Sequence, residues 1–158
     1  FEHSIEVQLP FLQYLYGSAF RFVPVSFLMQ DLQASREVGR AVAEVLQGRN
    51  GLVIASTDMT HYEPHEQASR KDHLAINAAR QMDEALYYSV VERYNITTCG
   101  YGPTVAAITA AKQLQGRSAQ LLCYRTSGDI TGDFSSVVGY ASLAFTKSQI
   151  TSPKAEQS

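Results

Sequence analysis

A short apolar run, Leu52-Val53-Ile54-Ala55-Ser56, constrains the fold of this chain more than any other feature. A strand without alternating polar residues is typical of a sheet that is covered on both faces. The run follows segment 33–47, whose apolar residues share one face and predict an amphipathic helix. The polar segment 57–68 comes directly after the run. Because ligands bind at the ends of strands in open α/β sheets, we expect a functional site there.

Hydrophobic periodicity predicts alternating helices and strands over the rest of the chain. Further helices are predicted at 4–16, with a kink or restart at Pro10, and at 69–82, 83–94 and 103–114. Further strands are predicted at 20–27, 119–125 and 136–145, the last two joined by a loop rich in Gly, Asp, Ser and Thr. The order α-β-α-β-α-α-α-β-β predicts an α/β fold.

The charge and cysteine content exclude several classes of protein. The 158 residues carry 13 Lys and Arg against 15 Asp and Glu, a formal net charge of −2, so nucleic acid is not an expected partner. No apolar stretch approaches the ~20 residues that span a bilayer, so a membrane is not expected either. The two cysteines, Cys99 and Cys123, form no CxxC motif, which argues against a disulfide framework and a structural zinc site. A cytoplasmic protein is therefore expected.

The two ends of the chain carry their own signals. The sequence begins Phe1-Glu2-His3 without an initiator methionine, and we expect it to be a piece of a longer protein. Residues 147–158 are polar and are expected to form a disordered tail.

Asp58 and His61 are the first candidate catalytic pair. A carboxylate three residues before a histidine can orient the imidazole and raise its basicity for general acid/base work. The alternative is that Asp58 caps a turn and His61 is an ordinary loop residue. Taken alone, the Asp-x-x-His spacing favours the second interpretation.

The other histidines carry weaker signals. His3 stands between two acids at the start of the first predicted helix, where the helix dipole alone explains the acidic sequence. His65 and His73 lie among charged residues and are expected to face solvent.

Two loops offer other sites. Residues 99–104 open a predicted helix, but they lack the residue order of a phosphate-binding loop, and a structural turn around a buried Cys99 is the favoured interpretation. Residues 127–133 contain Asp129 and Asp133, which suit either a hairpin turn or a hard cation. Two carboxylates are too few ligands, so a cation site would need further ligands from another part of the protein.

Four blocks of sequence, in the same order and over nearly the whole chain to residue 145, resemble the Memo family. They are Glu2-His3-Ser4-Ile5-Glu6-Val7-Gln8-Leu9-Pro10-Phe11-Leu12, Ser56-Thr57-Asp58-Met59-Thr60-His61-Tyr62, Cys99-Gly100-Tyr101-Gly102-Pro103 and Ser135-Ser136-Val137-Val138-Gly139-Tyr140-Ala141. The family includes the human mediator of ErbB2-driven cell motility and the prokaryotic AmmeMemoRadiSam system protein B, and this chain is similar to a prokaryotic member. The resemblance implies that residues 1–146 are the C-terminal part of a single Memo-like domain.

The Memo family is similar in fold to the class III, LigB-type extradiol dioxygenases. The resemblance implies an α/β/α sandwich around a central mixed β-sheet, with a cleft at the strand ends. In those enzymes two histidines and one acid hold non-haem iron(II), and two further histidines act as acid/base groups. By position in the motifs, His3 and His61 match these two acid/base histidines, with Asp58 supporting His61. Tyr62 and Tyr101 adjoin the two cleft motifs and suit stacking against a ligand ring.

The resemblance places most metal ligands outside this chain. It implies two ligand histidines upstream of Phe1 and a third ligand in the loop after Tyr124, where Asp129 is the residue offered. The part of the ligand set that lies within this chain is not expected to bind iron tightly. Fe(II) is therefore expected as a cofactor of the full-length protein only.

The resemblance leaves two functions open. One is a metal-dependent oxidoreductase of the dioxygenase type, in which His61 and His3 manage protons. The alternative is a binding module that uses a vestigial dioxygenase cleft to recognise a peptide or small ligand. The name of the prokaryotic members also implies AMMECR1-like and radical-SAM proteins as partners.

Overall fold

The computed structural model of this chain describes residues 3–148. Its helices are α1 (Leu9–Tyr16), preceded by a 3₁₀ turn at Glu6–Gln8, α2 (Leu32–Leu46), α3 (His65–Arg80), α4 (Glu84–Arg93), α5 (Tyr101–Gln113) and the single turn α6 (Gly128–Thr131). Its strands are β1 (His61–Glu63), β2 (Ser118–Thr126) and β3 (Val137–Thr146). The predicted α/β class is confirmed.

The strands form one three-stranded sheet in the order β1-β3-β2. Both pairings are antiparallel, and the long β2–β3 ladder runs from Ser118 opposite Thr146 to Thr126 opposite Gly139. A register shift between Leu121 and Cys123 marks a bulge in β2. The described sheet is therefore antiparallel where a mixed sheet was expected.

Local signals explain where the helices begin. Asp83 caps α4, as predicted, because its Oδ1 accepts hydrogen bonds from the backbone N–H groups of Ala85 and Leu86. Asp31 caps α2 in the same way, with Oδ1 accepting from the N–H of Ala34. Pro10 lies in the first turn of α1, where its missing N–H costs no helical hydrogen bond.

The core lies between the sheet and the helices that follow β1. Ile76 of α3, Tyr87 of α4 and Ile108 of α5 are almost completely buried there, and each such side chain contributes about 1.5–3 kcal/mol of burial free energy. α2 packs on α5 through Gly39, whose added Cβ would lie 2.5 Å from the carbonyl oxygen of Ala106. This packing fixes the amino-terminal end of α5, beside which the candidate site lies.

Two predicted strands are absent from the described part of the chain. Segments 20–27 and 52–56 are assigned to no helix or strand, and within residues 3–148 no strand pairs with either of them. Leu52 is 76 % exposed and Ile54 46 % exposed, so the prediction of a strand covered on both faces is wrong here. An extended segment becomes a strand only when a neighbour accepts and donates its backbone hydrogen bonds, and the described residues provide no such neighbour.

The longest helix, α3, has 16 residues. Among residues 3–148, no helix is both long and apolar enough to cross a bilayer. Most of the predicted polar tail, from residue 149 onward, lies outside the described residues.

Candidate functional site

A group of three metal-ligating side chains lies where the start of β1 and the residues just before it meet the segment before α5. Asp58, His61 and Cys99 each place one ligand atom within 4.8 Å of the other two. The Oδ2 atom of Asp58 is 3.6 Å from the Nε2 atom of His61, which is too long for a hydrogen bond. The fold therefore joins the predicted Asp58–His61 pair to a cysteine 41 positions from Asp58 in the sequence.

Glycine allows the two segments to approach. A Cβ added to Gly100 would lie 2.6 Å from the Cβ of Thr57 and 2.7 Å from the carbonyl oxygen of Ser56. The N–H of Gly100 instead donates to Thr57 Oγ1 at 2.8 Å. Because no other residue leaves this space free, Gly100 brings the neighbouring Cys99 against Asp58.

Hydrogen bonds fix the tautomer of His61. Its Nδ1 atom lies 2.7 Å from the carbonyl oxygen of Thr97, which only accepts, so Nδ1 carries the proton and donates it. The backbone N–H of His61 donates to Thr97 Oγ1 at 2.8 Å. The hydrogen bond from Nδ1 leaves the Nε2 atom on the side of Asp58. In metal sites, a histidine that donates from one ring nitrogen in this way binds the metal through the other.

Cys99 receives a hydrogen bond from the same segment that carries the other two ligands. The backbone N–H of Asp58 donates to its Sγ at 3.2 Å. The hydroxyl of Thr98 donates to the carbonyl oxygen of Asp58 at 2.7 Å, which ties the two segments together a second time. Cys99 is exposed, so the prediction of a buried structural cysteine is wrong. Gly100 and the turn into α5 hold the thiol at the surface of the site.

The three donors suit a divalent transition-metal ion. Two ligands at about 2.0–2.2 Å from a tetrahedral ion lie roughly 3.3–3.6 Å apart, which agrees with the 3.6 Å between Asp58 and His61. A thiolate, an imidazole and a carboxylate together favour a late first-row metal over Mg²⁺ or Ca²⁺, which prefer oxygen ligands. Three protein ligands leave further coordination positions open, as catalytic metal sites do.

Asp129 and His3 are not part of this group. Asp129 Oδ2 accepts a 2.7 Å hydrogen bond from the backbone N–H of Thr126 and closes the turn that contains α6. His3 is exposed, and its Nδ1 pairs with Glu6 Oε2 at 2.8 Å. The metal-ligand role of Asp129 and the catalytic role of His3 stay predictions.

The two predicted ligand-binding tyrosines lie in different surroundings. Tyr62 is 78 % exposed next to His61, and its backbone has a φ of 59°, a left-handed value that is unusual for an aromatic residue. Tyr101 is half-buried, with its ring 5.9 Å from that of Tyr88 in an edge-on contact at the start of α5. Tyr62 is available for a ligand beside the group, whereas Tyr101 also packs against the core.

Comparison with known proteins assigns the family. The sequence profile described as "Memo-like protein" matches residues 1–144. The chain belongs to the Memo family. A MEMO1 family protein of Methanopyrus kandleri is 57 % identical over 146 residues, covering 91 % of this chain and 52 % of the relative. MEMO1 family proteins of Methanocaldococcus jannaschii and Pyrobaculum aerophilum are 50 % and 45 % identical, covering 89 % and 91 % of this chain and 51 % and 52 % of each relative. The chain thus spans about half the length of these Memo relatives.

Sequence reasoning missed two residues of the candidate site. The first is Cys99: the sequence around it predicts a structural turn, because nothing there indicates that Asp58 lies beside the thiol. Tyr140 is the second: Met59 and Gly139 are hydrogen-bonded across the sheet, which places Tyr140 of β3 beside Asp58. Partial burial raises the pKa of the Tyr140 hydroxyl, and the charges of Asp58 and Tyr62 raise it further. The alternation of residues along β3 is the only sequence signal for this placement.

The remaining histidines are more enclosed than predicted. His65 is half-buried, with Nδ1 3.0 Å from Thr126 Oγ1 and its ring edge-on to Phe134. His73 is also half-buried, and its Nδ1–H donates to the carbonyl oxygen of Ser69 at 2.8 Å. The prediction that both face solvent is wrong, because the polar face of α3 packs against the sheet.

Proposed function

We propose that this Memo-family protein binds a divalent transition-metal ion through Asp58, His61 and Cys99. The observation that carries the proposal is the hydrogen bond from His61 Nδ1–H to the carbonyl oxygen of Thr97. That bond leaves the free Nε2 facing a carboxylate, with an exposed thiol in the same group. A merely structural histidine needs no such arrangement of its second nitrogen.

The ion implied by the family resemblance is Fe(II), and the proposed activity of the whole protein is that of a metal-dependent oxidoreductase of the dioxygenase type. When bound, Fe(II) would supply one-electron and O₂ chemistry. The residues of this chain would hold the ion, keep His61 in one tautomer and leave positions open for a substrate. The donor set fits this use, although its thiol replaces one histidine of the usual two-histidine, one-carboxylate set. In this proposal Asp58 and His61 hold the ion, in place of the acid/base roles that the resemblance implies for them.

The complete LigB-like sandwich is likewise a proposal for the whole protein. The relatives are about twice as long as this chain, since it covers 52 % of the Methanopyrus kandleri protein. Segments 20–27 and 52–56 have the sequence pattern of strands but pair with no strand within residues 3–148. Their neighbours would come from the additional length of the whole protein. Further metal ligands would come from the same additional length.

Anaerobic titration with Co(II), a spectroscopic substitute for Fe(II), tests the metal site in the 158-residue chain. The resemblance alone implies weak metal binding by this chain, but Asp58, His61 and Cys99 together form a three-ligand group. We therefore expect one equivalent to bind, with a thiolate-to-metal charge-transfer band from Cys99. Cys99→Ser is expected to remove the band and weaken binding at least tenfold. Cys123→Ser is the matched control, because Cys123 is the other exposed cysteine and lies outside the group. No binding by the wild-type chain, or equal losses in both variants, would contradict the proposal.

The alternative, a ligand-binding module, is favoured by one observation. Tyr62 is 78 % exposed and Tyr140 44 % exposed beside Asp58, where they offer aromatic surface to a peptide or small ligand. Oxygen consumption by the full-length, Fe(II)-loaded protein with a panel of catechols distinguishes the two functions. Consumption supports the oxidoreductase, whereas iron binding without consumption supports the binding module.

A further inference from the structure

One acidic residue lies wholly inside the protein, close to the candidate metal site. Asp72 of α3 has no exposed surface. Its Oδ1 accepts a 2.9 Å hydrogen bond from the backbone N–H of Thr60, and its Oδ2 accepts a 2.8 Å hydrogen bond from the hydroxyl of Tyr124. Among residues 3–148 it makes no salt bridge. Both of its hydrogen bonds therefore leave its own helix, one reaching the residue before β1 and the other reaching β2.

A buried carboxyl group is a costly way to fill a core. Burying it is unfavourable unless both oxygens are hydrogen-bonded, and an apolar side chain would occupy the same place without that cost. The residue that Asp72 holds is Thr60, which stands between Asp58 and His61 in the sequence. The free-energy cost of burying Asp72 is explained if the position of Thr60 determines where Asp58 and His61 lie.

The same short segment is also held from the other side. The N–H of Met59 donates to the carbonyl oxygen of Gly139, and the N–H of Gly139 donates to the carbonyl oxygen of Thr60, each at 2.9 Å. A Cβ added at Gly139 would collide with Oδ2 of Asp72, so glycine is needed for the carboxyl group to reach its partners. Asp72 and β3 therefore hold the N–H and the carbonyl oxygen of Thr60, one each.

We propose that Asp72 is a positioning residue for the Asp58–His61–Cys99 site. By fixing the N–H of Thr60, it keeps Asp58, two positions before it, and His61, the next residue, directed toward Cys99. This inference rests on the proposed metal-binding function.

Tyr124 completes the arrangement. Its ring packs edge-on against His73 at 4.7 Å, and its hydroxyl is the second donor to Asp72. Burial raises the pKa of the Tyr124 hydroxyl, and the hydrogen bond to Asp72 raises it further. The raised pKa favours the protonated hydroxyl, which is the form that donates to Asp72.

The test compares Co(II) affinity, the thiolate charge-transfer band and hydrogen exchange at the Thr60 N–H in variants of the chain. Asp72→Ala is expected to weaken Co(II) binding about 10–100-fold, which is the usual effect of losing a residue that supports the metal ligands. It is also expected to shift the charge-transfer band and to speed hydrogen exchange at the Thr60 N–H. Asp72→Asn keeps an acceptor for Thr60 N–H, and its amide can donate to Tyr124. It is expected to restore affinity to within about threefold of the wild type.

Asp83→Ala is the matched control. It removes another hydrogen-bonded carboxyl group, the N-cap of α4, and costs about 0.5–2 kcal/mol of stability away from the site. It is expected to leave the charge-transfer band unchanged, so a change confined to Asp72→Ala does not reflect general destabilisation. If Asp72→Ala fails to fold, Tyr124→Phe, which removes one donor to Asp72, is expected to show the same effects to a smaller degree.

Three outcomes would overturn the inference. In the first, the wild-type chain binds Co(II), and Asp72→Ala binds it equally well with an unchanged band; Tyr124→Phe takes the place of Asp72→Ala if that variant does not fold. The positioning role is then wrong, while the proposed metal site stands. If Asp72→Asn loses as much affinity as Asp72→Ala, the charge matters and the hydrogen bonds do not. If the wild-type chain binds no Co(II), the proposed function fails and the inference fails with it.

Discussion

At the scale of single residues, backbone groups contact two of the three candidate ligands, while the side chain of Asp72 holds the segment that carries Asp58 and His61. His61 is oriented by the carbonyl oxygen of Thr97, and Cys99 Sγ accepts from the N–H of Asp58. Such contacts survive most side-chain substitutions nearby. The residue most sensitive to substitution is Gly100, because a side chain there would overlap Thr57 and the backbone of Ser56.

Gly100→Ala is predicted to destabilise the chain by about 1–3 kcal/mol, since its Cβ would press on Thr57 and the backbone of Ser56. It is also predicted to lower metal affinity by moving Cys99. Equilibrium denaturant unfolding measures the first effect. Gly51→Ala is the control, because its Cβ would meet only a terminal methyl of Leu46, which can rotate away. Equal unfolding midpoints for the two variants would show that Gly100 is not needed for the close approach.

At the scale of elements, three helices are joined by one carboxylate. Glu84 at the start of α4 is buried, and its Oε1 accepts from Arg36 of α2 at 3.0 Å while its Oε2 accepts from Lys112 of α5 at 2.7 Å. Burial raises the pKa of Glu84, but the hydrogen bonds from Lys112 and Arg36 lower it more, so the net shift is below its usual value of 4.5. The ionised form is therefore the one that stabilises the helix packing.

A lowered pKa in the folded state fixes the direction of the pH dependence. Glu84 contributes its full stabilisation above pH 4.5 and loses it as the pH falls through the lowered folded value. Glu84→Gln is predicted to cost about 1–2 kcal/mol at pH 7, a figure reduced for the partial exposure of both basic partners. Denaturant unfolding of both proteins from pH 7 to pH 3 is the measurement. A stability difference that does not shrink on acidification would refute the assignment.

At the scale of the whole molecule, exposed apolar side chains are concentrated in residues 7–29 and 52–54. We call this set the amino-terminal apolar surface; it consists of Val7, Phe11, Tyr14, Leu15, Tyr16, Phe22, Val23, Val25, Leu28, Met29, Leu52, Val53 and Ile54. Leu28 is 98 % exposed and Tyr14 90 % exposed. Soluble monomers rarely leave so many large apolar groups in water without a partner.

The chain on its own is therefore predicted to self-associate at micromolar concentration. Leu28→Glu together with Leu52→Glu should shift it toward monomer, with little loss of stability because neither side chain is buried. Sedimentation velocity measures the effect. Ile130→Glu is the control, since Ile130 is 90 % exposed but belongs to α6, outside the amino-terminal apolar surface. A wild-type chain that sediments as a single monomer would refute this prediction.

The sequence predicted those elements whose signals are local. α2 follows from its apolar face and α4 from its Asp83 cap, and β2 and β3 lie within one residue of their predicted bounds. β1 was not predicted, because its three residues become a strand only by pairing with β3. Segment 52–56 has the composition of a buried strand, but burial depends on neighbours that a local pattern does not contain.

The sequence by itself determined the Memo family, the α/β class and the candidacy of Asp58 and His61, because motif order, periodicity and short spacings are local properties. The tertiary structure decided that Cys99 joins them, although 41 positions separate it from Asp58. It also decided that Asp72 is buried beneath the same segment. Contacts over such distances depend on how the helices and the sheet pack, and therefore no stretch of sequence specifies them alone.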